Sequence, residues 1–254
     1  MKLTTASFFA LVAASTTLAA RFPHEERQAP PLATVFTTCK TPNTVAFTFD
    51  DGPWIYSDEI VAFLANQSVK ATFFFNGNNY DCIYNQDTMN RVKNVYGNGH
   101  QVASHTWAHE HLTTLTATQI DSEMARVDLA LQRIIGVTPA FMRPPYGEYN
   151  DLVRQVSAAR GQSLVNWDFD SGDSVGATAN KSKADYTKVI NDHPSTIIAL
   201  NHETVQSTPE DVIRTVIPQL KAAGYKLVTV AECLEMQPYQ NVTNPQTPDR
   251  TWRC

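Results

Sequence analysis

One unit recurs along most of this chain: a short apolar run, then a loop, then a helical period. The strand-like runs are Val45–Phe49, Thr72–Phe75, Gln101–Ser104, Ala140–Met142, Ser163–Trp167, Thr196–Leu200 and Lys226–Val230. Their lengths and their apolar, β-branched and aromatic content suit buried strands. Amphipathic stretches lie between them. Ser57 is a plausible N-cap for Ile60, Val61, Phe63 and Leu64. Thr116 and Gln119 fit a capping box opening a long helix that stops at Gly136. Asn150 precedes Leu152, Val153 and Val156, and Pro209 sits where a first helical turn tolerates proline. Strand and helix therefore alternate about seven times, which argues an α/β protein with parallel strands. A closed barrel and an open doubly wound sheet both fit this pattern.

The unusual polar residues fall at one place in the repeat, just after a strand. Asp50 and Asp51 follow the first run, His105 and His109 the third, and Arg143 the fourth. Asp168, Asp170 and Asp173 follow the fifth, and His202 the sixth. In a barrel these positions converge on the C-terminal mouth of the strands, where active sites are built. Charged residues behind apolar strands are hard to explain as support for the fold.

His105-Thr-Trp-Ala-His109 is an i, i+4 pair. If the segment is helical, both imidazoles lie on one face. Two histidines and one carboxylate make a three-ligand metal site with an open position. Adjacent carboxylates at Asp50 and Asp51 divide naturally, one ligating the metal and the other acting as a base. Alone, Asp50-Asp-Gly-Pro53 has a plain turn as its alternative reading.

The first 20 residues have Lys2, an apolar stretch Phe8–Ala14 and small residues at Leu18-Ala-Ala20. This reads as a secretory signal peptide, too short to span a membrane. An extracellular or cell-wall location follows. In that compartment Cys39, Cys82, Cys233 and Cys254 are expected as disulfides. Closing a barrel would bring the first and last strands together, pairing Cys39 with Cys233 and leaving Cys82 for Cys254. Sequons at Asn66, Asn180 and Asn241 mark expected glycosylation sites. The chain has 20 Lys+Arg against 25 Asp+Glu and no basic run, which argues against a nucleic-acid surface. No other stretch approaches the ~20 apolar residues of a membrane helix.

Three motifs in order carry a family resemblance. They are Thr48-Phe-Asp-Asp-Gly-Pro53, Ser104-His-Thr-Trp-Ala-His109 and Arg143-Pro-Pro-Tyr-Gly147. The chain resembles the polysaccharide deacetylases of the NodB type, carbohydrate esterase family four, over about residues 44–230. Within that family it is most similar to the secreted fungal chitin deacetylases. The resemblance implies a distorted (β/α) barrel with about seven parallel strands. It implies a signal peptide at 1–20, a lead-in or pro-segment at 21–38 and a single catalytic domain at 39–254, acting as a monomer. The implied reaction is metal-dependent hydrolysis of N-acetyl groups in chitin or chito-oligosaccharides. Acetylxylan O-deacetylation and a catalytically silent carbohydrate-binding barrel are the alternatives.

The same resemblance implies the residue roles. Asp51, His105 and His109 would bind Zn2+, or another divalent metal such as Co2+. Asp50 would be the base, with Arg143 holding it ionised. The Tyr146 backbone N–H would take the oxyanion. His202 would be the acid, supported by an aspartate, with Asp173 favoured over Asp168 and Asp170. The family often has Trp after that aspartate, whereas Ser174 stands here, so Leu200 is left to line the acetyl pocket. Tyr146 and Trp107 are candidates to stack on sugar. Glu203 and Glu148 are possible sugar contacts, and His100, His111 and His193 read as surface or structural residues.

Overall fold

In chain order the strands are β1 (Val35–Phe36), β2 (Thr44–Gly52), β3 (Thr72–Phe75), β4 (Gln101–Ser104), β5 (Val137–Pro139), β6 (Phe141–Met142), β7 (Ser163–Val165), β8 (Phe169–Asp170), β9 (Thr196–His202), β10 (Lys226–Val228) and β11 (Tyr239–Val242). The helices are α1 (Ser57–Asn66), α2 (Gln86–Gly97), α3 (Ala117–Ile135), α4 (Asp151–Ala159), α5 (Ala179–Asp192), α6 (Ile213–Ala222) and α7 (Val230–Leu234). The structure is a computed structural model and describes residues 31–254. The expected signal peptide at 1–20 and most of the lead-in lie outside the described residues.

β2 organises the sheet. β9 pairs with one edge along Thr44–Asp50, while β10 and β3 share the other edge, at Thr44–Ala46 and Thr48–Gly52. The path runs β1-β7-β6-β4-β3-β2-β9-β8, all parallel, and curls into an open barrel. All seven sequence-derived runs are strands here. The two-residue strands β1 and β8 are additional, so nine strands pair where about seven were expected. β5 and β11 form a separate antiparallel pair.

Strand alternation sorts the side chains into two layers. Val45, Phe47 and Phe49, with Phe73, Phe75, Val102, Ile197 and Ala199, face the helices. Ala46, Phe74, Ala103, Val165 and Ile198 face the barrel interior. That interior is filled at one end by Val230, Ala231 and Leu234 of α7. Val230 was expected at a strand end. It opens α7 instead, because Thr229 and Glu232 form a capping box there. The box at Thr116 and Gln119 and the left-handed Gly136 bound α3 as its sequence implies. The same alternation leaves Thr48 and Asp50 of β2, and Leu200 and His202 of β9, on the inner face toward the strands' C-terminal ends.

Cys39 pairs with Cys233, and Cys82 with Cys254. The first disulfide ties the segment before β2 to α7, beneath the sheet. Replacing Cys39 and Cys233 together by Ser is expected to cost about 2–5 kcal/mol, read as a lower denaturant midpoint with a steeper slope, because the unfolded chain loses its cross-link. Asn66, Asn180 and Asn241 are all exposed. No helix among the described residues is long and apolar enough to cross a membrane.

Candidate active site

Two adjacent aspartates on a regular strand would face opposite layers. β2 avoids this with a bulge. Asp50 pairs with Phe74 and Gly52 with Phe75, leaving Asp51 as the extra residue. Asp51 takes a left-handed backbone, φ 72°. A non-glycine residue held there costs about 1–3 kcal/mol and persists only where its surroundings impose it. The bulge turns both carboxylates toward one cavity.

The histidines are not on a helix. Residues 105–109 form an irregular loop after β4, with Thr106 at φ 69° and His109 at φ 58°. The expected helical face is replaced by loop geometry with the same result. Asn76 donates from Nδ2 to the carbonyls of His105 (2.6 Å) and Thr106 (3.1 Å). Glu123 of α3 accepts the Ala108 N–H at 2.8 Å. So fastened, His105 Nε2 lies 3.6 Å and His109 Nε2 3.4 Å from Asp51 Oδ1.

Arg143 is fully buried behind this cluster. Its Nη1 donates to Asp50 Oδ1 at 2.8 Å and to Thr48 Oγ1 at 2.6 Å, and its Nε to the Val165 carbonyl at 3.0 Å. The Arg143 carbonyl in turn holds His105 Nδ1 at 2.8 Å. That bond puts the His105 proton on Nδ1 and leaves the Nε2 lone pair facing Asp51. Burial raises the Asp50 pKa, against the pull of the Arg143 charge, and raises Asp51 to about 6. It lowers both His105 and His109 to about 3, so both rings are neutral.

His202 stands across the cavity. Asp173 Oδ1 lies 2.7 Å from His202 Nδ1, and Asp173 Oδ2 accepts from the His202 N–H (2.8 Å) and the Thr208 hydroxyl (2.7 Å). Burial opposes a charged ring, but the Asp173 hydrogen bond and charge outweigh it and raise His202 to about 9. Of the three candidate carboxylates only Asp173 touches His202. Asp168 accepts the Ile198 N–H, and Asp170 accepts the Gly172 N–H at the rim. Tyr146 has a left-handed backbone, φ 59°, and its ring packs between His109 and His111. The cavity is about 440 Å³ and is lined by Asp50, Asp51, His105, His109, Tyr146, Trp167, Leu200 and His202, with Tyr80, Pro144, Asp170, Ser174 and Val175.

Comparisons with known proteins identify the family. The family model described as polysaccharide deacetylase matches residues 37–165. The chain belongs to the polysaccharide deacetylase family. It is 36% identical over 235 residues to a chitin deacetylase of Pestalotiopsis sp, covering 89% of this chain and 75% of the relative. The solved chitin deacetylase of Colletotrichum lindemuthianum superposes with a TM-score of 0.78 at 30% identity, covering 84% of this chain and 96% of that one. The Bc1960 peptidoglycan N-acetylglucosamine deacetylase superposes at 0.73 with 27% identity, covering 82% and 96%.

Polysaccharide deacetylases are metal-dependent, and the donor set of this deacetylase suits a metal. One Asp51 oxygen and the two imidazole nitrogens lie within 4.8 Å of one another. The Asp51 side chain is only 12% exposed and faces neutral rings, whereas Asp50 has Arg143. A dication would compensate the Asp51 carboxylate, which has no Arg or Lys beside it among the described residues.

Some expected contacts of this deacetylase fall elsewhere. Trp107 does not reach the cavity. It is buried, packed on Gly77, where a Cβ would meet the indole at 1.9 Å, and covered by Arg126. Ser57 is the first residue of α1, and its hydroxyl bonds Trp54 and Glu203 instead of capping the helix. Glu203 is wholly buried beneath the cavity, so it contacts no sugar. Glu148 pairs with His111 at 3.0 Å. Asn76, Tyr80, Trp167 and Val175 were missed from sequence. Trp167 ends a strand-like run and could have been found from the position it shares with the other mouth residues. Asn76 carries no such signal.

Proposed function

We propose that the chain removes acetyl groups from N-acetylglucosamine residues of chitin or chito-oligosaccharides, giving chitosan and acetate. The observation that carries this reading is the Asp173–His202 pair facing Asp50 across one cavity. An amide nitrogen leaves poorly unless protonated, and an acid held at a pKa of about 9 is protonated at neutral pH. An ester makes less use of such an acid. The names of the fungal relatives point the same way.

Asp51, His105 and His109 would hold the metal, and neutral imidazoles with a carboxylate favour Zn2+. When bound, the metal supplies Lewis acidity for the acetyl carbonyl. The chain's own residues do the rest. Asp50, its pKa raised by burial, takes a proton from the attacking water at its carboxylate. Arg143 orients Asp50 through the 2.8 Å bond. The Tyr146 N–H donates to the developing oxyanion, and Leu200 lines the pocket for the methyl group. His202 gives its proton to the departing amine, stabilised as a cation by Asp173. The expected signal peptide and the two disulfides support a secreted or cell-wall protein.

The test is acetate release from N-acetylglucosamine pentamers beside acetylated xylan. The expected result is zinc-restored, chelator-sensitive activity on the pentamer. Activity confined to xylan would move the assignment to ester hydrolysis, and chelator-insensitive turnover would sink the metal.

A further inference from the structure

The Glu203 carboxyl lies directly beneath the Asp50–Asp51 bulge and takes no part in the steps above. It follows His202 at the end of β9, and alternation turns it away from the cavity toward the start of α1. Its Oε1 accepts two hydrogen bonds of 2.7 Å, from the Trp54 N–H and the Ser57 hydroxyl. Its backbone N–H donates to the Asp50 carbonyl at 3.2 Å. Oε2 is buried with no hydrogen-bond partner. Gly52 lies against the same carboxyl, since a Cβ there would come within 2.0 Å of Oε1.

These contacts are one-sided. An ionised carboxylate would keep charge on a buried oxygen that nothing solvates, which is costly. A neutral carboxylic acid removes that charge and keeps Oε1 as the acceptor, a contact that an amide oxygen also provides. Burial acts in the same direction and pushes the Glu203 pKa to about 8. The strained Asp51 backbone needs an outside constraint, and the chain just beyond it is the segment that Glu203 grips.

We propose that Glu203 is a positioning residue that works as a neutral acid, fixing Trp54 and Ser57 against the end of β9 and so holding the bulge that turns Asp50 and Asp51 into the cavity. The inference rests on the roles proposed above for those two aspartates.

Wild type, Glu203→Gln, Glu203→Ala and Ser57→Ala would be compared in three measurements. These are zinc affinity by chelator competition on the metal-free protein, kcat and KM on the pentamer, and thermal midpoint. Glu203→Gln is expected within about threefold of wild type in zinc affinity and kcat. Glu203→Ala is expected to weaken zinc binding and lower kcat by about 10–100-fold, with KM little changed. Ser57→Ala should move the same way by less. Wild-type zinc affinity and kcat in Glu203→Ala would overturn the proposal, as would a Glu203→Gln variant as impaired as Glu203→Ala. Should Glu203→Ala not fold, unchanged zinc affinity and kcat in Ser57→Ala would overturn it. A wild type that releases no acetate would instead sink the proposed activity, while the zinc affinities would still test the brace.

Discussion

Asp50→Asn is expected to lower acetate release by about 10²–10⁴-fold while the protein still binds one zinc. Asparagine keeps the shape of the side chain and can still accept from Arg143 Nη1, now 2.8 Å from Asp50 Oδ1. What it cannot do is take a proton from water. The loss should therefore fall on kcat, with KM little changed. Asp51, His105 and His109 are untouched, so zinc stoichiometry by metal analysis should match wild type. Stability should drop, because a buried Arg143 loses its counter-charge. Removing one partner of such a pair outright costs about 3–5 kcal/mol. The cost here should be smaller, since Thr48 and the carbonyls of Val165 and Asn166 keep hold of the guanidinium. Assays below the variant's thermal midpoint separate the two effects. An Asp50→Asn variant that lost zinc would mean that the two aspartates have exchanged roles.

Much of this site was legible because the barrel repeats one geometric rule. Residues at the end of a parallel strand reach the same mouth, so Asp50, His105, Arg143 and His202 could be grouped before any contact was known. What could not be read depends on contacts between separate loops. The Asp51 bulge exists because β2 slips against β3, and no local pattern around Asp51 encodes its neighbour's register. The loop at 105–109 has helical spacing, yet Asn76 and Glu123 capture its backbone groups and hold it irregular. Trp107 looked available to a sugar because Gly77, which receives its ring, belongs to another loop. β1 and β8 are two residues long, too short for any periodicity to register.

Asp173→Asn is expected to move the alkaline limb of the kcat profile toward lower pH, with a loss of about 10²-fold near pH 9 and less near pH 6. Burial works against the His202 cation, and Asp173 overrides it to reach a pKa of about 9. Without that carboxylate the burial effect wins, and the ring loses its proton at lower pH. Geometry adds to the electrostatics. Asp173 Oδ2 already accepts from the His202 N–H and Thr208, so an asparagine oxygen is drawn there and its amide nitrogen faces His202 Nδ1. A donor at that position favours the neutral ring, which cannot supply the amine with a proton as a cation does. Stability should follow a matching pattern. The raised His202 pKa contributes stability that is complete below its ordinary 6.5 and is lost as pH rises through about 9. Asp173 is held below its ordinary 3.8 by the His202 and Thr208 hydrogen bonds, against burial, so its contribution is present above 3.8 and is lost as pH falls through the depressed value. The wild type should therefore exceed Asp173→Asn in thermal midpoint most clearly between about pH 4 and pH 6.5, with the gap closing toward either extreme. An alkaline limb that stays in place in Asp173→Asn would remove Asp173 from its role and leave His202 without the partner that makes it an acid.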